Sequence, residues 1–398
     1  MPRRSRPPAA PRSISRASLR PLAAGLAALL AAALLAGCGG AGEGPLTGPR
    51  AAPRGLPTFE LVGTAELPAG LELDGAPVGG LSALAFQPSS GRWYALSDDR
   101  AERGPARFYT LRVDLEDGVL ADGAVEVLEA TELRRADGGS FAEGTIDPEG
   151  LAVGDGGTLW VSSEGAAKEA ADPFVAQVRL DGRTLRTLEL PARFAPGEDR
   201  GVRDNLAFES LTLSPDGASL FVATENALAQ DGPAASPESG SLARILRFDA
   251  ASGRRVAEHA YQVERVPMVP AEPDGLVVGG LVELVSLGGG RLLALERAFA
   301  EGRGHVIRLY LVDLAGADDV SGDDRLAASG RGRPEPVAKQ RLLDLAALGA
   351  PLDNVEGMAL GPRLPDGRRL LLLVSDDNFN PQQRTRFYAL AIGGDIVP

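Results

Sequence analysis

Residues 209–227 read ESLTLSPDGASLFVATENA and have the pattern of a β-hairpin. Two short runs rich in apolar and β-branched residues flank SPDG, in which Pro215 presets one backbone dihedral and Gly217 accepts a positive one. An acidic residue stands at each open end, Glu209 at the start and Glu225 at the finish. Because an antiparallel strand returns to the level at which its partner began, the two carboxylates are expected to lie close together.

The same hairpin recurs along the chain at intervals of 60 to 74 residues. The five units begin at Ser82, Glu149, Glu209, Glu283 and Glu356. Each unit adds a third short run, and most add a fourth, which is the pattern of a β-propeller blade. The fifth unit lacks its fourth strand, whereas residues 59–67 (FELVGTAEL) form an unassigned strand. We therefore predict an all-β protein, a β-propeller of four-stranded antiparallel blades with the N-terminal strand closing the last blade. Five units are counted. The number of blades is five, or six if one of the long units contains two blades.

Acidic residues recur at both ends of these hairpins. In a blade the first strand is innermost and the second returns beside it, so these ends share one face of the disc near its axis. The strand starts carry Asp147, Glu149, Glu209, Glu283, Asp353 and Glu356. The second-strand ends carry Asp98, Asp99, Glu164, Glu225, Glu296, Asp376 and Asp377. A carboxylate at the second-strand end of every unit predicts a ring of acids around one mouth of the central channel.

Neighbouring carboxylates raise one another's pKa, so a ring of acids can ionise fully only if a cation or a basic side chain lies close to it. Hard oxygen ligands from several loops suit Ca²⁺ or Mg²⁺, and we name Ca²⁺ as the candidate cofactor. In the alternative, the acids accept hydrogen bonds from neighbouring turns and hold the blades together. Basic residues on the same loops are candidates to receive a phosphate group. They are Arg100, Lys168, Arg203 and Arg297, for each of which a solvated surface is the alternative; His305, near this face, is a candidate for a direct role.

Composition excludes several other functions. The 398 residues carry a net charge of −13, which argues against a nucleic-acid partner. Glycine and proline together make up about a fifth of the chain, which favours turns over long helices. The two histidines accompany no nucleophile motif, and there is one cysteine, so neither a Ser-His-Asp hydrolase nor a zinc site is expected.

The N-terminal region has the layout of a secretory leader. Six arginines in the first 20 residues precede an apolar stretch over 22–36, which is shorter than the ~20 residues that span a bilayer. The run Leu35-Ala36-Gly37-Cys38 resembles a bacterial lipoprotein cleavage box; an ordinary signal or a short membrane anchor is the alternative. We expect a lipoprotein signal peptide over 1–37, a flexible tether over 38–57 and a propeller domain over 58–398. The protein is then exported and attached to the cell envelope only through a lipid on Cys38, as a monomer.

Across roughly residues 58 to 396 the chain resembles the "esterase-like activity of phytase" family of phytase-like proteins. The matching pieces are GGLSALAF with YALSDDR, DPEGLAV with VSSEG, NLAFESLTLSPDGASLFVATENAL, LLALERAF, and DNVEGMALGP with LLLVSDDNF. The resemblance implies a β-propeller whose relatives include calcium-dependent phosphate-ester hydrolases, exported and often lipid-anchored. The acidic positions named above fall on these motifs.

Two functions remain open from the sequence. The first is a Ca²⁺-dependent hydrolase of a small phosphoester, for which phytate is one candidate. The second is a non-catalytic propeller that binds an unknown ligand or a cell-envelope partner and uses its acids structurally. Fold alone does not choose between them.

Overall fold

The computed structural model describes residues 56–115, 117–169, 171–326 and 332–394. Each repeat unit forms one four-stranded antiparallel sheet, and the five sheets are the blades of a five-bladed β-propeller. This confirms the predicted fold, and the number of blades is five. In the described ranges the helical segments are short 3-10 turns, and none is long and apolar enough to cross a membrane. The predicted signal peptide, Cys38 and nearly all of the predicted tether lie outside the described residues.

The strands are numbered in chain order and grouped by their place in the blade. The innermost strands are β4 (Leu81–Gln87), β8 (Pro148–Gly154), β12 (Phe208–Leu213), β16 (Val277–Gly288) and β20 (Asn354–Arg363). The second strands are β5 (Arg92–Ser97), β9 (Thr158–Ser163), β13 (Ser219–Thr224), β17 (Arg291–Ala300) and β21 (Arg369–Asp376). The third strands are β6 (Arg107–Val113), β10 (Phe174–Arg179), β14 (Ser241–Asp249), β18 (Gly304–Asp313) and β22 (Arg386–Gly393). The outer strands are β7 (Val125–Glu132), β11 (Thr184–Thr187), β15 (Arg255–Val263), β19 (Ala338–Asp344) and β1 (Thr58–Glu66). A two-residue hairpin, β2 (Glu72–Leu73) and β3 (Ala76–Pro77), precedes the first blade.

The N-terminal strand closes the ring. Strand β1 pairs antiparallel with β22, with Phe59 opposite Ile392 and Leu61 opposite Leu390. It is therefore the outer strand of the fifth blade, as predicted, and its bounds differ by one residue from those read off the sequence. This pairing joins the two ends of the propeller and leaves no open seam between the first and last blades.

The hydrophobic core lies between neighbouring blades. Five clusters of buried side chains each draw residues from two adjacent sheets; Trp93 and Leu372, for example, share the seam of blades 1 and 5. Because sheets cover both faces of each blade, its middle strands carry continuous apolar runs, as in the buried residues 370–374 of β21. This packing holds the five hairpin ends together at the channel mouth.

Each innermost strand carries a β-bulge near its start. The register shifts between Leu81 and Ala83 in the first blade, and corresponding shifts occur in the other four. A bulge leaves its extra residue unpaired and re-aims its side chain. The residues at these bulges, taken blade by blade, are Ser82, Glu149, Glu209, Val282 and Glu356.

Candidate functional site

The second-strand ends form a matching set of positions. In the first blade Ser97 pairs with Leu81 immediately before the bulge, so Asp98 is the first residue beyond the hairpin ladder. In each of the other blades we take the residue that follows the second-strand member of the pair before the bulge. The equivalent residues, in blade order, are Asp98, Glu164, Glu225, Arg297 and Asp376. The prediction of a carboxylate at this place in all five units is therefore wrong, because the fourth blade has an arginine there.

The error comes from a one-residue shift in the fourth unit. Glu296 pairs with Leu281 and corresponds to Ser97, and successive strand side chains point to opposite faces. Its carboxylate accepts hydrogen bonds from Tyr261 Oη at 2.7 Å and Lys339 Nζ at 2.5 Å. Glu296 is thus part of a buried ion pair with Lys339, away from the other predicted ligands.

Glu283 is displaced by the same kind of shift, because Val282 occupies the bulge. The Glu283 side chain is 1% exposed, and its carboxylate accepts from the backbone N–H of Leu284 at 2.9 Å. Backbone groups of Leu211 and Met358 also hydrogen-bond to it, so it joins the inner strands of three blades. Burial raises the pKa of Glu283, and these bonds oppose the rise.

Three further predicted ligands are held by neighbouring loops. Asp99 pairs with Arg107 at 2.8 Å and accepts backbone bonds in its own loop. Asp353 accepts from the backbone N–H of Arg384 at 2.9 Å, and Asp377 accepts from that of Gly80 at 2.9 Å. These three carboxylates fit the structural alternative, because each accepts hydrogen bonds from backbone donors of a loop.

The remaining eight predicted acids gather at one mouth of the channel, and we call them the acidic cluster. They are Asp98, Asp147, Glu149, Glu164, Glu209, Glu225, Glu356 and Asp376. Oxygens of Asp147, Glu149 and Glu164 lie within 4.8 Å of one another, close enough to coordinate one metal ion.

The carboxyl groups of the cluster are buried and mutually repelling. Burial raises the pKa of Asp147 to about 6, against the opposing effect of Arg100, and burial raises that of Glu225 to about 7, against Arg297. The pKa values of Glu149 and Glu164 rise well above the ordinary range because of burial and neighbouring carboxylates. Without a counter-ion the cluster therefore retains protons near neutral pH.

Three oxygens of the cluster are buried and have no hydrogen-bond partner among the described residues: Asp98 Oδ1, Glu164 Oε2 and Glu225 Oε1. The other oxygen of Glu164 accepts the backbone N–H of Ala207, so this carboxyl group is fixed on one side and unsatisfied on the other. An ionised carboxylate in this state is costly unless a cation reaches it.

Two of the four predicted phosphate-binding residues lie in this site. Arg100 is ion-paired with Asp147 and also contacts Asn205. Arg297 Nη2 lies 2.8 Å from Glu356 Oε1 and 3.6 Å from Glu225 Oε1. These guanidinium groups supply the positive charges that face the cluster.

The other two lie elsewhere. Arg203 Nη2 donates to the backbone carbonyl of Gly232 at 2.7 Å, which ties two loops together. Lys168 Nζ lies 2.5 Å from Asp204 Oδ2, and its side chain is largely exposed. The structure therefore brings Arg100 and Arg297 to the cluster and leaves Arg203 and Lys168 outside it.

The cluster opens into a cavity of about 840 Å³. Acidic side chains line one part of it, whereas Leu276, Val278 and Phe299 of the fourth blade form an apolar wall. His305 also lines this wall, 4.8 Å from the Phe299 ring between centroids, as the sequence placed it near this face. Burial, assisted by Arg297, lowers the His305 pKa to about 4, so its imidazole is neutral at physiological pH.

Sequence reasoning missed the glycines that make room for the cluster. A Cβ on Gly280 would lie 2.3 Å from Glu225 Oε1, and a Cβ on Gly80 would lie 2.0 Å from Asp98 Oδ1. The signal was present as a glycine pair, Gly79-Gly80 just before β4 and Gly279-Gly280 early in β16. It also missed Asn354, whose Nδ2 donates to Glu356 Oε1 at 3.0 Å.

Five antiparallel blades around a channel with a carboxyl-lined mouth define this chain as a β-propeller with an acidic site. Residues 76–379, well over half of the chain, match the family described as "Phytase-like: Esterase-like activity of phytase". The chain belongs to this family, which confirms the resemblance seen in its motifs.

Comparison with individual proteins gives more distant similarities. A protein of Arthroderma benhamiae described as an uncharacterized secreted protein is 28% identical over 198 residues, which are 42% of this chain and 37% of that protein. The chain thus matches just over a third of that relative's length. An endo-arabinase from Bacteroides thetaiotaomicron aligns with a TM-score of 0.40 at 11% identity, over 78% of this chain and 93% of the other. A bifunctional GH43-CE protein of Bacteroides eggerthii aligns with a TM-score of 0.42 at 11% identity, over 78% of this chain and 33% of the other.

Proposed function

We propose that the protein is a divalent-cation-dependent hydrolase of phosphate esters, with Ca²⁺ as its cofactor and the acidic cavity as its active site. The observation that carries this proposal is a pair of buried carboxylate oxygens, Asp98 Oδ1 and Glu164 Oε2, that lack partners within the described ranges. A bound cation would remove the cost of leaving them ionised. Membership of the phytase-like family supports phosphate esters as the substrate class.

The donor set fits a hard divalent ion. Asp147, Glu149 and Glu164 would hold it, since they offer three carboxylates within reach of one point and oxygen is the ligand that Ca²⁺ prefers. When bound, such an ion neutralises phosphate charge and lowers the pKa of an attacking water.

The chain's own residues would bind and orient the ester. Arg100 and Arg297 both line the cavity: Arg100 can steady phosphate oxygens by charge-assisted hydrogen bonds, and the charge of Arg297 attracts the phosphate group. Glu209 also lines the cavity, and burial together with neighbouring acids raises its pKa well above the ordinary value. A carboxyl group with a raised pKa is better suited than an ordinary one to donate a proton to a leaving oxygen.

A specific observation favours the second candidate, a non-catalytic binding propeller. Arg100 and Arg297 already pair with Asp147 and Glu356, so these two arginines are engaged within the site. In that case the acids and arginines stabilise the channel mouth, and the cavity binds a ligand or an envelope partner without turnover.

The Glu164→Gln variant separates these functions. The glutamine carbonyl can still accept the Ala207 N–H, while the unpartnered oxygen becomes an uncharged amide. If the site binds Ca²⁺, we expect a Ca²⁺ affinity at least tenfold weaker and a metal-free stability that is unchanged or higher, because a repelling charge is gone. Calorimetric Ca²⁺ titration, with melting curves in chelator and in Ca²⁺, measures both effects.

The matched control is Glu283→Gln, a buried glutamate satisfied by backbone donors outside the cluster. It should lower metal-free stability by ~1 kcal/mol or more and leave the Ca²⁺ response intact. If Glu164→Gln behaves like this control, the acids are structural clasps. A phosphoester panel assayed with Ca²⁺, Mg²⁺ and chelator tests catalysis, and absence of turnover with every ion would refute the hydrolase.

We further propose that the protein is exported and tethered to the cell envelope through a lipid on Cys38. The support is the arginine-rich, apolar leader ending in Leu35-Ala36-Gly37-Cys38. A relative described as a secreted protein agrees with export. The localisation is independent of the catalytic proposal.

Cys38→Ser is expected to abolish membrane retention, because a thioether-linked lipid needs the sulfur and the chain has a single cysteine. The variant should be recovered as a soluble or unprocessed form in fractionated cells. Retention of the serine variant in the membrane fraction at the level of the unmodified protein would contradict the lipid anchor.

A further inference from the structure

The fourth blade departs from its neighbours at both cluster positions. Blades 2, 3 and 5 each place one carboxyl group at the inner-strand bulge and another at the second-strand end. The fourth blade has Val282 at the bulge and Arg297 at the strand end. As far as the chain is described, it is the blade that contributes no carboxyl group to the acidic cluster and contributes a positive charge instead.

Arg297 is embedded among the acids of the adjoining blades. Its side chain is 12% exposed, and Nη2 reaches Glu356 Oε1 at 2.8 Å and Glu225 Oε1 at 3.6 Å. Its Nε is buried without a hydrogen-bond partner among the residues described. The guanidinium therefore does not use its full fork of donors, and its position favours charge neutralisation over directional recognition.

The electrostatic surroundings agree with this role. Burial opposes the charge of Arg297, but Glu356, Glu225 and Glu209 outweigh burial and raise its pKa above the ordinary value. The guanidinium is thus permanently charged, and it faces three carboxyl groups from two blades. A separate set of three acids, Asp147, Glu149 and Glu164, has carboxylate oxygens within 4.8 Å of one another.

We propose that Arg297 occupies the place of a bound cation: it is a covalently attached counter-ion for Glu225 and Glu356. Divalent-ion binding is thereby confined to the side formed by Asp147, Glu149 and Glu164. The confinement of divalent ions to Asp147, Glu149 and Glu164 rests on the proposed function. The role of Arg297 as a counter-ion does not. A merely structural arginine would join the blades without occupying an ion site.

The test is the number of Ca²⁺ ions bound per chain by Arg297→Gln, measured by calorimetric titration with CaCl₂ and checked by equilibrium dialysis. Removal of the guanidinium leaves Glu225 and Glu356 without their cation, so the variant should bind one more Ca²⁺ than the unmodified protein. The matched control is Arg303→Gln, which removes the same charge from an exposed position in the same blade and should leave the number unchanged.

A double variant identifies the new site. Adding Glu225→Gln to Arg297→Gln removes one of the carboxylates that the arginine neutralises, so the additional ion should be lost or bound at least tenfold more weakly. A folded Arg297→Gln protein that binds the same number of ions as the unmodified protein overturns the proposal.

Failure to fold is also informative. If Arg297→Gln is unfolded in chelator, millimolar Ca²⁺ should restore the cooperative melting transition, because the ion replaces the missing charge. A variant that stays unfolded in both conditions overturns the proposal. The measured quantity is a difference between two proteins, so the inference survives even if the unmodified protein binds no Ca²⁺ and the proposed hydrolase is wrong.

Discussion

Replacing Arg244 with leucine is expected to lower the free energy of unfolding by about 3–5 kcal/mol. Arg244 on β14 is fully buried, and its guanidinium makes two bonds to Asp231, at 2.6 and 3.0 Å. Its Nη1 also donates to Glu258 Oε1 at 2.5 Å and to the carbonyl oxygen of Asp323 at 3.0 Å. Loss of the cation leaves buried carboxylates with fewer partners, which costs more than the pair itself contributes. Chemical denaturation of the purified variant measures the change.

The matched control for this prediction is Arg247→Leu on the same strand. Arg247 is exposed, and its Nε donates to Ser219 Oγ at 3.0 Å, so its loss should cost less than about 1 kcal/mol. Equal losses of unfolding free energy in the two variants would show that the buried network around Arg244 stabilises the protein no more than an exposed arginine does. A large loss for Arg244→Leu alone identifies this network as a main support of the third blade and the loop that follows β18.

The metal-free protein is expected to lose stability as the pH rises from 7.0 to 8.5. In the folded state the cluster retains protons: the pKa of Glu225 is about 7, and those of Glu149, Glu164 and Glu209 are raised well above ordinary values. In the unfolded chain these groups are already ionised, so the folded state binds more protons and stability falls with pH. Titration of Glu225 alone, with a pKa of about 7, accounts for a loss of roughly 0.4 kcal/mol over this range, and the raised pKa values of the other groups add to it.

This pH range avoids the opposing effect of His305. Its pKa is lowered to about 4 in the folded protein, so its contribution to stability increases with pH and is nearly complete by pH 7. Denaturation in chelator at the two pH values measures the slope. Saturating Ca²⁺ should reduce the dependence of stability on pH. Glu209→Gln should also reduce it, because one titrating group is removed. Equal stability at both pH values in chelator would contradict the protonated cluster.

The blades were predictable because a strand and its turn are local. Apolar runs of strand length bounded by sequences such as SPDG, recurring at similar intervals, indicated four-stranded units without any tertiary information. The incomplete fifth unit and the spare strand at 59–67 indicated ring closure, and the pairing of β1 with β22 confirms it. The family assignment followed from the same motifs and is confirmed by the match over 76–379.

The composition of the site was only partly predictable. Eight of the acids lie in the cluster, but Asp98 and Asp376 face it while the adjacent Asp99 and Asp377 bind backbone and side-chain donors outside it. Successive side chains leave the chain in different directions, so neighbouring acids of one motif receive different surroundings. The sequence of the motif alone does not show which of two adjacent acids faces the cluster.

The amino-acid sequence by itself determined the all-β class, the repeat, the closing strand and the concentration of acids at one end of the hairpins, because these depend on residue type and short-range order. Only the tertiary structure decided that Arg297, and not Glu296, completes the set at the second-strand ends. The reason is the bulge at Val282: one unpaired residue sets which side chain faces the channel, and its position depends on pairing between strands. The charge balance of the site, and with it the number of cations it can bind, is therefore set by strand register.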